Sequence, residues 1–429
     1  MSEARFVAAA ASVEITPPHG LAMAGYAART ARADGTLDPL EANLLLLGER
    51  GGQSVVVVAI DSLAVTRPLR QALAAAVQRA TGVQQDHVRV VASHTHSAPL
   101  AWVGQIHPVL PGEVDEREIR RVADLVGAAA EGLMPVPCEL TWAVAGVDGA
   151  GANRHHVDGP HDRTTGALGV VDASNTPHHG TTLAVLFDYA CHPTTLGPAN
   201  LSWSADWVGS ARRRIREDRG GVPVVHLPGC AGDVSTRFSR HGRTEAEARR
   251  IGELVAAAVL KGLSTGAVLD GGLALEAMSV RLPTRSPKRL PVSVPVQGGS
   301  RLDESIAEGV AADRAIRDAG LPSQLDLPVS WLAIGEARWL FLPVEPFARF
   351  GLLMSLSPRP VRVVGYCDAY HGYMPDDAAY RAGHYEARSA LVDEGAAAEF
   401  YRLCMEAAQH WTSDSGPELE ALRQVRGAQ

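Results

Sequence analysis

Four apolar runs along this chain each stop at a side chain able to bind a metal ion, and that repetition limits what the chain can fold into. The run His87–Ala92 leads into Ser93-His94-Thr95-His96-Ser97. Leu183–Tyr189 leads into Cys191-His192-Pro193-Thr194, and Trp339–Leu342 into Pro343-Val344-Glu345-Pro346. Val361–Gly365 leads into a loop holding Tyr370, Tyr373, Tyr380 and Tyr385. Short apolar runs of this kind read as strands, and helical periodicity fills much of the chain between them. The alternation predicts an α/β fold of mixed β-sheets flanked by helices. Strand ends in such folds converge on one sheet edge, where ligands bind. Two imidazoles, a carboxylate and a polar loop gathered there make an open metal site of the kind hydrolases use.

The helical stretches have recognisable ends. Thr66, followed by Pro68, opens a helix that runs to Ala80, since proline is tolerated in a first turn. Asp115–Leu133 carries Ile119, Val122, Leu125 and Val126 at helical spacing. Ala205–Glu217 reads as a helix with a basic outer face of Arg212, Arg213, Arg214 and Arg216. Thr244–Leu263, Asp303–Ala319 and Glu386–His410 are further helices. Leu282–Arg301, rich in Pro, Ser and Gly, reads as a crossing between two halves that meet near 265–300. The candidate ligands lie on both sides of it, so residues 1–429 are expected to share one site. The residues after Ser413 read as a polar tail.

Composition narrows the function classes. Hydrophobic residues make up 46% and charged residues 21%, enough for a substantial core. A formal net charge of −8 gives no reason to expect nucleic acid or anionic lipid as a partner. The N-terminus lacks the basic end and long apolar stretch of an export signal. No window approaches the ~20 apolar residues of a membrane span. The five cysteines are scattered and odd in number, which fits a reducing cytoplasm.

Taken singly, each motif has two readings. In an extended stretch His94 and His96 point the same way, so both can serve one metal, or they are surface histidines in a turn. His192 is held by Pro193 and is either a ligand or a structural imidazole. Glu345, between Val344 and Pro346, is a desolvated carboxylate that needs a metal or a cation such as Arg349. Ser235, in Gly229-Cys230-Ala231-Gly232-Asp233-Val234-Ser235, is a nucleophile or a hydrogen-bond donor, and the segment is not GxSxG. Arg154 binds a substrate oxygen or pairs with Asp158 or Asp162. Trp102, Trp203 and Trp207 wall a pocket or fill the core.

In order, these segments resemble the catalytic domain of the neutral/alkaline non-lysosomal ceramidase family. The resemblance rests on Ile15-Thr16-Pro17 with Met23-Ala24-Gly25-Tyr26-Ala27 and the strand ending at Asp61. It continues through His94-Thr95-His96-Ser97, Asn153-Arg154, His192-Pro193-Thr194, Gly232-Asp233-Val234-Ser235, Glu345 and Gly365-Tyr366 to Gly372-Tyr373, Tyr380 and His384-Tyr385-Glu386. It implies a zinc ion held by His94, His192, Glu345 and Tyr373. It also implies His96, Arg154, Tyr385 and Ser235 as catalytic or substrate-binding residues. Tyr373 is selected over Tyr370 because a second tyrosine, Tyr385, follows it by twelve residues, the family's spacing. Thr236 stands where the family has proline, and the loop before Tyr373 reads Asp368-Ala369-Tyr370-His371. No C-terminal immunoglobulin-like domain is expected.

The function implied is hydrolysis of an N-acyl amide by a zinc-activated water, on a small-molecule or lipid-like acyl substrate. Cleavage of a small ester, lactone or glycoside on the same site, and a non-catalytic binding role, are the alternatives.

Overall fold

The computed structural model describes residues 4–27, 29–108, 112–286 and 301–410. Most of the Leu282–Arg301 crossing and the tail after Ser413 lie outside the described residues.

Twelve strands carry the fold: β1 (Phe6–Glu14), β2 (Glu41–Glu49), β3 (Ser54–Ile60), β4 (Val88–Ala92), β5 (Val136–Gly146), β6 (Thr164–Asp172), β7 (Thr182–Tyr189), β8 (Val224–Pro228), β9 (Leu273–Pro283), β10 (Gln324–Ile334), β11 (Ala337–Phe341) and β12 (Arg362–Val364). The larger, nine-stranded sheet runs β8-β7-β6-β5-β1-β2-β3-β4, with the short strand Ala267–Val268 on β5. Its central pairs are antiparallel, while β3–β4 and β7–β8 at its two ends are parallel. A parallel neighbour needs a crossover. Helix α1 (Arg67–Thr81) makes one and α3 (Trp207–Arg219) the other. The smaller sheet runs β9-β10-β11-β12.

Period-two alternation decides the layers. Leu44, Leu46, Val56, Val58 and Ile60 point toward α1 and α2 (Glu116–Glu131). Ala167, Val185 and Phe187 point the same way, toward α3 and α4 (Glu245–Thr265). Their alternates Leu45, Leu47, Val55, Val57, Leu168 and Leu186 face Leu332, Ile334, Trp339 and Phe341 of the smaller sheet. That sheet's other face, with Trp331, Ala333 and Leu340, is covered by α5 (Arg301–Ala319), α6 (Ala348–Ser355), α7 (Asp377–Ala382), α8 (Tyr385–Ser389) and α9 (Ala396–His410). The result is four layers, helix–sheet–sheet–helix, with apolar side chains on both faces of both sheets. Each fully buried large side chain contributes about 1.5–3 kcal/mol of transfer free energy.

A seam ties the two parallel ends of the large sheet together. Gly365 N–H donates to Pro228 O at the end of β8 (3.0 Å), and the next residues pair with β4. Ala92 N–H donates to Tyr366 O (3.2 Å) and Asp368 N–H to Val90 O (2.8 Å). The loops after β4, β8 and β12 therefore open onto the same place.

Two local readings differ from the sequence expectation, and one open choice is decided for the core. Glu386–His410 is not one helix: α8 ends at Ser389 and α9 starts at Ala396. The break is held by tertiary bonds, because Leu391 O accepts from Arg285 N–H and Val392 O from the Tyr380 hydroxyl. The basic face of α3 is not wholly outward. Arg212 is buried on Asp61 (2.5 Å) and Arg216 pairs with Glu41 (2.7 Å). Trp102, Trp203 and Trp207 are fully buried core residues.

Candidate metal centre

His94 follows β4 but is not extended. Its φ of 64° lies in the left-handed region, a costly place for a residue with a Cβ. Period-two alternation therefore does not apply, yet the bend still sets the His94 and His96 rings edge to face, 5.1 Å apart. The conformation is held by Tyr366, itself at φ 57°, whose ring stacks on His94 at 4.1 Å. The His94 Nδ1 hydrogen donates to Leu63 O at 2.6 Å. His192 follows β7, and its Nδ1 donates to Ala231 O at 2.6 Å. Glu345 sits beyond β11, in parallel register with Tyr373.

The other ring nitrogens converge. His94 Nε2 lies 3.2 Å from His192 Nε2. Glu345 Oε2 is 3.4 Å from the first and 3.2 Å from the second. With each Nδ1 hydrogen committed to a carbonyl, the neutral tautomers present lone pairs at Nε2, and both face a carboxylate oxygen. Three acceptors at such distances repel unless a cation lies between them. A tetrahedral ion with bonds of about 2.0–2.1 Å separates its donors by roughly 3.3 Å, so the triangle fits a metal of zinc's size. Imidazoles oriented through Nδ1–H to a backbone carbonyl are the usual support of such ligands. His94, His96 and His192 also group closely enough to share an ion.

Charge within the cluster follows from burial and neighbours. Burial holds His192 below its ordinary value. The Tyr370 hydroxyl donates to Glu345 Oε1, and Tyr366 approaches Oε2 at 3.4 Å.

The remaining expected residues line the same cavity. Both ring nitrogens of His96 are buried without a hydrogen-bond partner among the described residues. Burial, then His94 and His192, hold this ring far below its ordinary value. Gly25 makes room for it: at φ +100°, a Cβ there would lie 2.5 Å from His96 Cγ. Arg154 pairs with Glu386 rather than Asp158 or Asp162, and His155 reaches the same carboxylate at 3.1 Å. Burial alone would raise Glu386; Arg154 and His155 bring it down to about 2. The Arg154 guanidinium lies 5.4 Å from the Tyr373 ring centre. Tyr385 stands edge to face with Tyr373 at 6.0 Å. Burial, then Glu345, push both phenols up, so they remain O–H donors. Ser235 is buried beside His192, and its Oγ accepts from Arg237 N–H at 3.3 Å. Burial raises the Cys191 and Cys230 thiols, which removes them as nucleophiles.

Sequence reasoning gave no role to Tyr370, Glu386 or Gly25. Glu386 and Gly25 lie inside quoted motifs, but only the fold shows that one neutralises Arg154 and the other seats His96.

No protein-family model and no curated protein matches the chain. Solved structures do. Neutral ceramidase from Pseudomonas aeruginosa superposes with a TM-score of 0.74 at 20% identity, over 94% of this chain and 74% of that one. A ceramidase complexed with C2 gives 0.75 at 18% identity, over 96% and 76%. The chain has the fold of the neutral ceramidases.

Proposed function

We propose that this chain is a zinc-dependent hydrolase that cleaves an acyl amide, with His94, His192, Glu345 and Tyr373 holding the ion. The observation that carries the reading is the acceptor triangle at 3.2–3.4 Å, with both Nδ1 hydrogens already used. A divalent ion there supplies Lewis acidity and lowers the pKa of water toward neutrality. The chain's own groups do the rest. His96, with unengaged ring nitrogens, carries a proton between water and the leaving nitrogen. Arg154 and the Tyr385 hydroxyl face the cavity as donors to the developing oxyanion. Ser235 orients the substrate. Tyr373, in register with Glu345, completes the ligand set. Atoms balance as amide plus water giving carboxylic acid plus amine.

No helix among the described residues is long and apolar enough to cross a membrane. All five cysteines are free and buried, in keeping with our assignment to the cytoplasm. The test is metal content followed by chelation and zinc restoration, read against acyl amides, esters and glycosides. Amide hydrolysis that falls on chelation and returns with zinc supports the reading. Turnover indifferent to both treatments, or confined to another bond class, overturns it.

A further inference from the structure

A catalytic zinc site must keep one coordination position for water, and zinc rarely takes more than five donors. His94, His192, Glu345 and Tyr373 already supply four if each gives one atom. A carboxylate has two acceptor oxygens, so Glu345 can give one or both. If both bind, the position that water needs is filled. A device that holds back the second oxygen therefore decides whether such a site can turn over.

The two Glu345 oxygens are in different surroundings. Oε2 faces both imidazoles, 3.4 Å from His94 Nε2 and 3.2 Å from His192 Nε2. Oε1 accepts a hydrogen bond from the Tyr370 hydroxyl, which lines the same cavity. Bonds to a carboxylate are among the stronger hydrogen bonds, and swinging Oε1 toward the imidazoles would break this one. Tyr370 is built to resist that swing, because its loop is fastened on both sides. Before it, Asp368 accepts from Val90 N–H (2.9 Å) and pairs with Arg89 (2.9 Å). After it, His371 N–H donates to Pro343 O (2.8 Å), and Gly372 O accepts from Glu345 N–H (2.9 Å). The second pair of bonds joins the Tyr370 loop to the Pro343–Glu345 segment itself, so donor and acceptor are held as one unit. Tyr366 does not duplicate the role. Its hydroxyl approaches Oε2, the oxygen already facing the imidazoles, at 3.4 Å.

We infer that Tyr370 is a positioning residue that, by holding Oε1, limits Glu345 to a single metal bond through Oε2 and so preserves the position for water. This rests on the metal reading above. Tyr370→Phe keeps the ring and removes the donor. The full-length parent and variant are each loaded with zinc, and separately with cobalt(II), which reports coordination number by its visible absorption. With Oε1 released, Glu345 binds through both oxygens in the variant. The cobalt absorption should then weaken severalfold as the ion gains a donor. Azide, added as a probe of the water position, should bind about tenfold more weakly in the variant. Zinc affinity should hold or rise, since a donor is gained, while kcat on acyl amides falls by about 10–100-fold with KM little changed. A variant with the parent's cobalt spectrum and azide affinity overturns the inference while the metal reading stands. A variant whose zinc affinity falls by about tenfold or more also overturns it, because Tyr370 would then be needed to hold the ion and not to free a position on it. A parent that takes up neither ion overturns the metal reading, and the inference with it.

Discussion

Replacing Glu345 by Gln should have two opposite effects. In the metal-free chain the Glu345 Oε2 faces two lone-pair-bearing nitrogens at 3.2–3.4 Å. An amide NH2 in its place donates to His192 Nε2, while the remaining oxygen still accepts from Tyr370. Satisfying groups left in conflict in a buried site is worth about 1–3 kcal/mol. Unfolding entropy of about 2.1 cal/mol/K per residue over 429 residues makes each kcal/mol roughly 1 °C. Glu345→Gln should therefore melt about 1–3 °C higher than the parent when both are metal-free. Zinc at about a thousand times Kd stabilises the parent by about 4.1 kcal/mol, or roughly 4–5 °C. The variant, having lost its anionic ligand, should show less than about 1 °C at the same zinc. Differential scanning calorimetry with and without zinc reads both effects. A variant that melts several degrees lower without metal, yet keeps the full zinc shift, refutes the argument, because the cluster would then be an ordinary ion pair between Glu345 and a protonated imidazole.

Other substitutions have equally direct readouts. Gly25→Ala, crowding His96, should lower kcat by about 100-fold, the scale of a misplaced catalytic group, with zinc content retained; unchanged kcat removes His96 from the chemistry. Asp61→Ala leaves Arg212 with its principal partner gone and should cost about 3–5 kcal/mol in denaturant unfolding; a loss under 1 kcal/mol contradicts the pairing. His226, buried between the Phe187 and Trp207 rings, is lowered to about 3, first by burial and then by Arg212. Its folded value lies below the ordinary 6.5, so its contribution is complete above pH 6.5 and is lost as pH falls toward 3. His226→Leu should narrow the stability difference between pH 7 and pH 5 by about 2 kcal/mol; an unchanged difference shows that the imidazole already titrates in the folded chain.

Much of the site was legible because each candidate ligand follows a strand whose apolar run is unmistakable. Ser54–Ile60 reads the same in sequence and structure, and His192 and Glu345 come directly after their runs. Helix ends agree within a few residues for α1, α2 and α4. What failed to show depends on partners distant in sequence. Phe6–Glu14 is full of alanine, a helix former, yet it lies mid-sheet because β2 and β5 pair with it on both sides. Arg212 looks like any surface arginine until Asp61 is brought under it. Left-handed His94 defeats a period-two argument, because the Tyr366 stack and the Leu63 carbonyl that hold that bend are distant in sequence.

The Gly365–Asp368 seam bears on how the protein matures. His94 and His192 emerge from the ribosome well before Glu345, and the stitch that draws the loops after β4 and β8 together is made later still. An ion arriving early finds two imidazoles without their carboxylate and is readily lost. On the proposed metal reading, stable loading would wait for the last third of the polypeptide, so tight metal retention would double as a report that synthesis and docking of both sheets are complete.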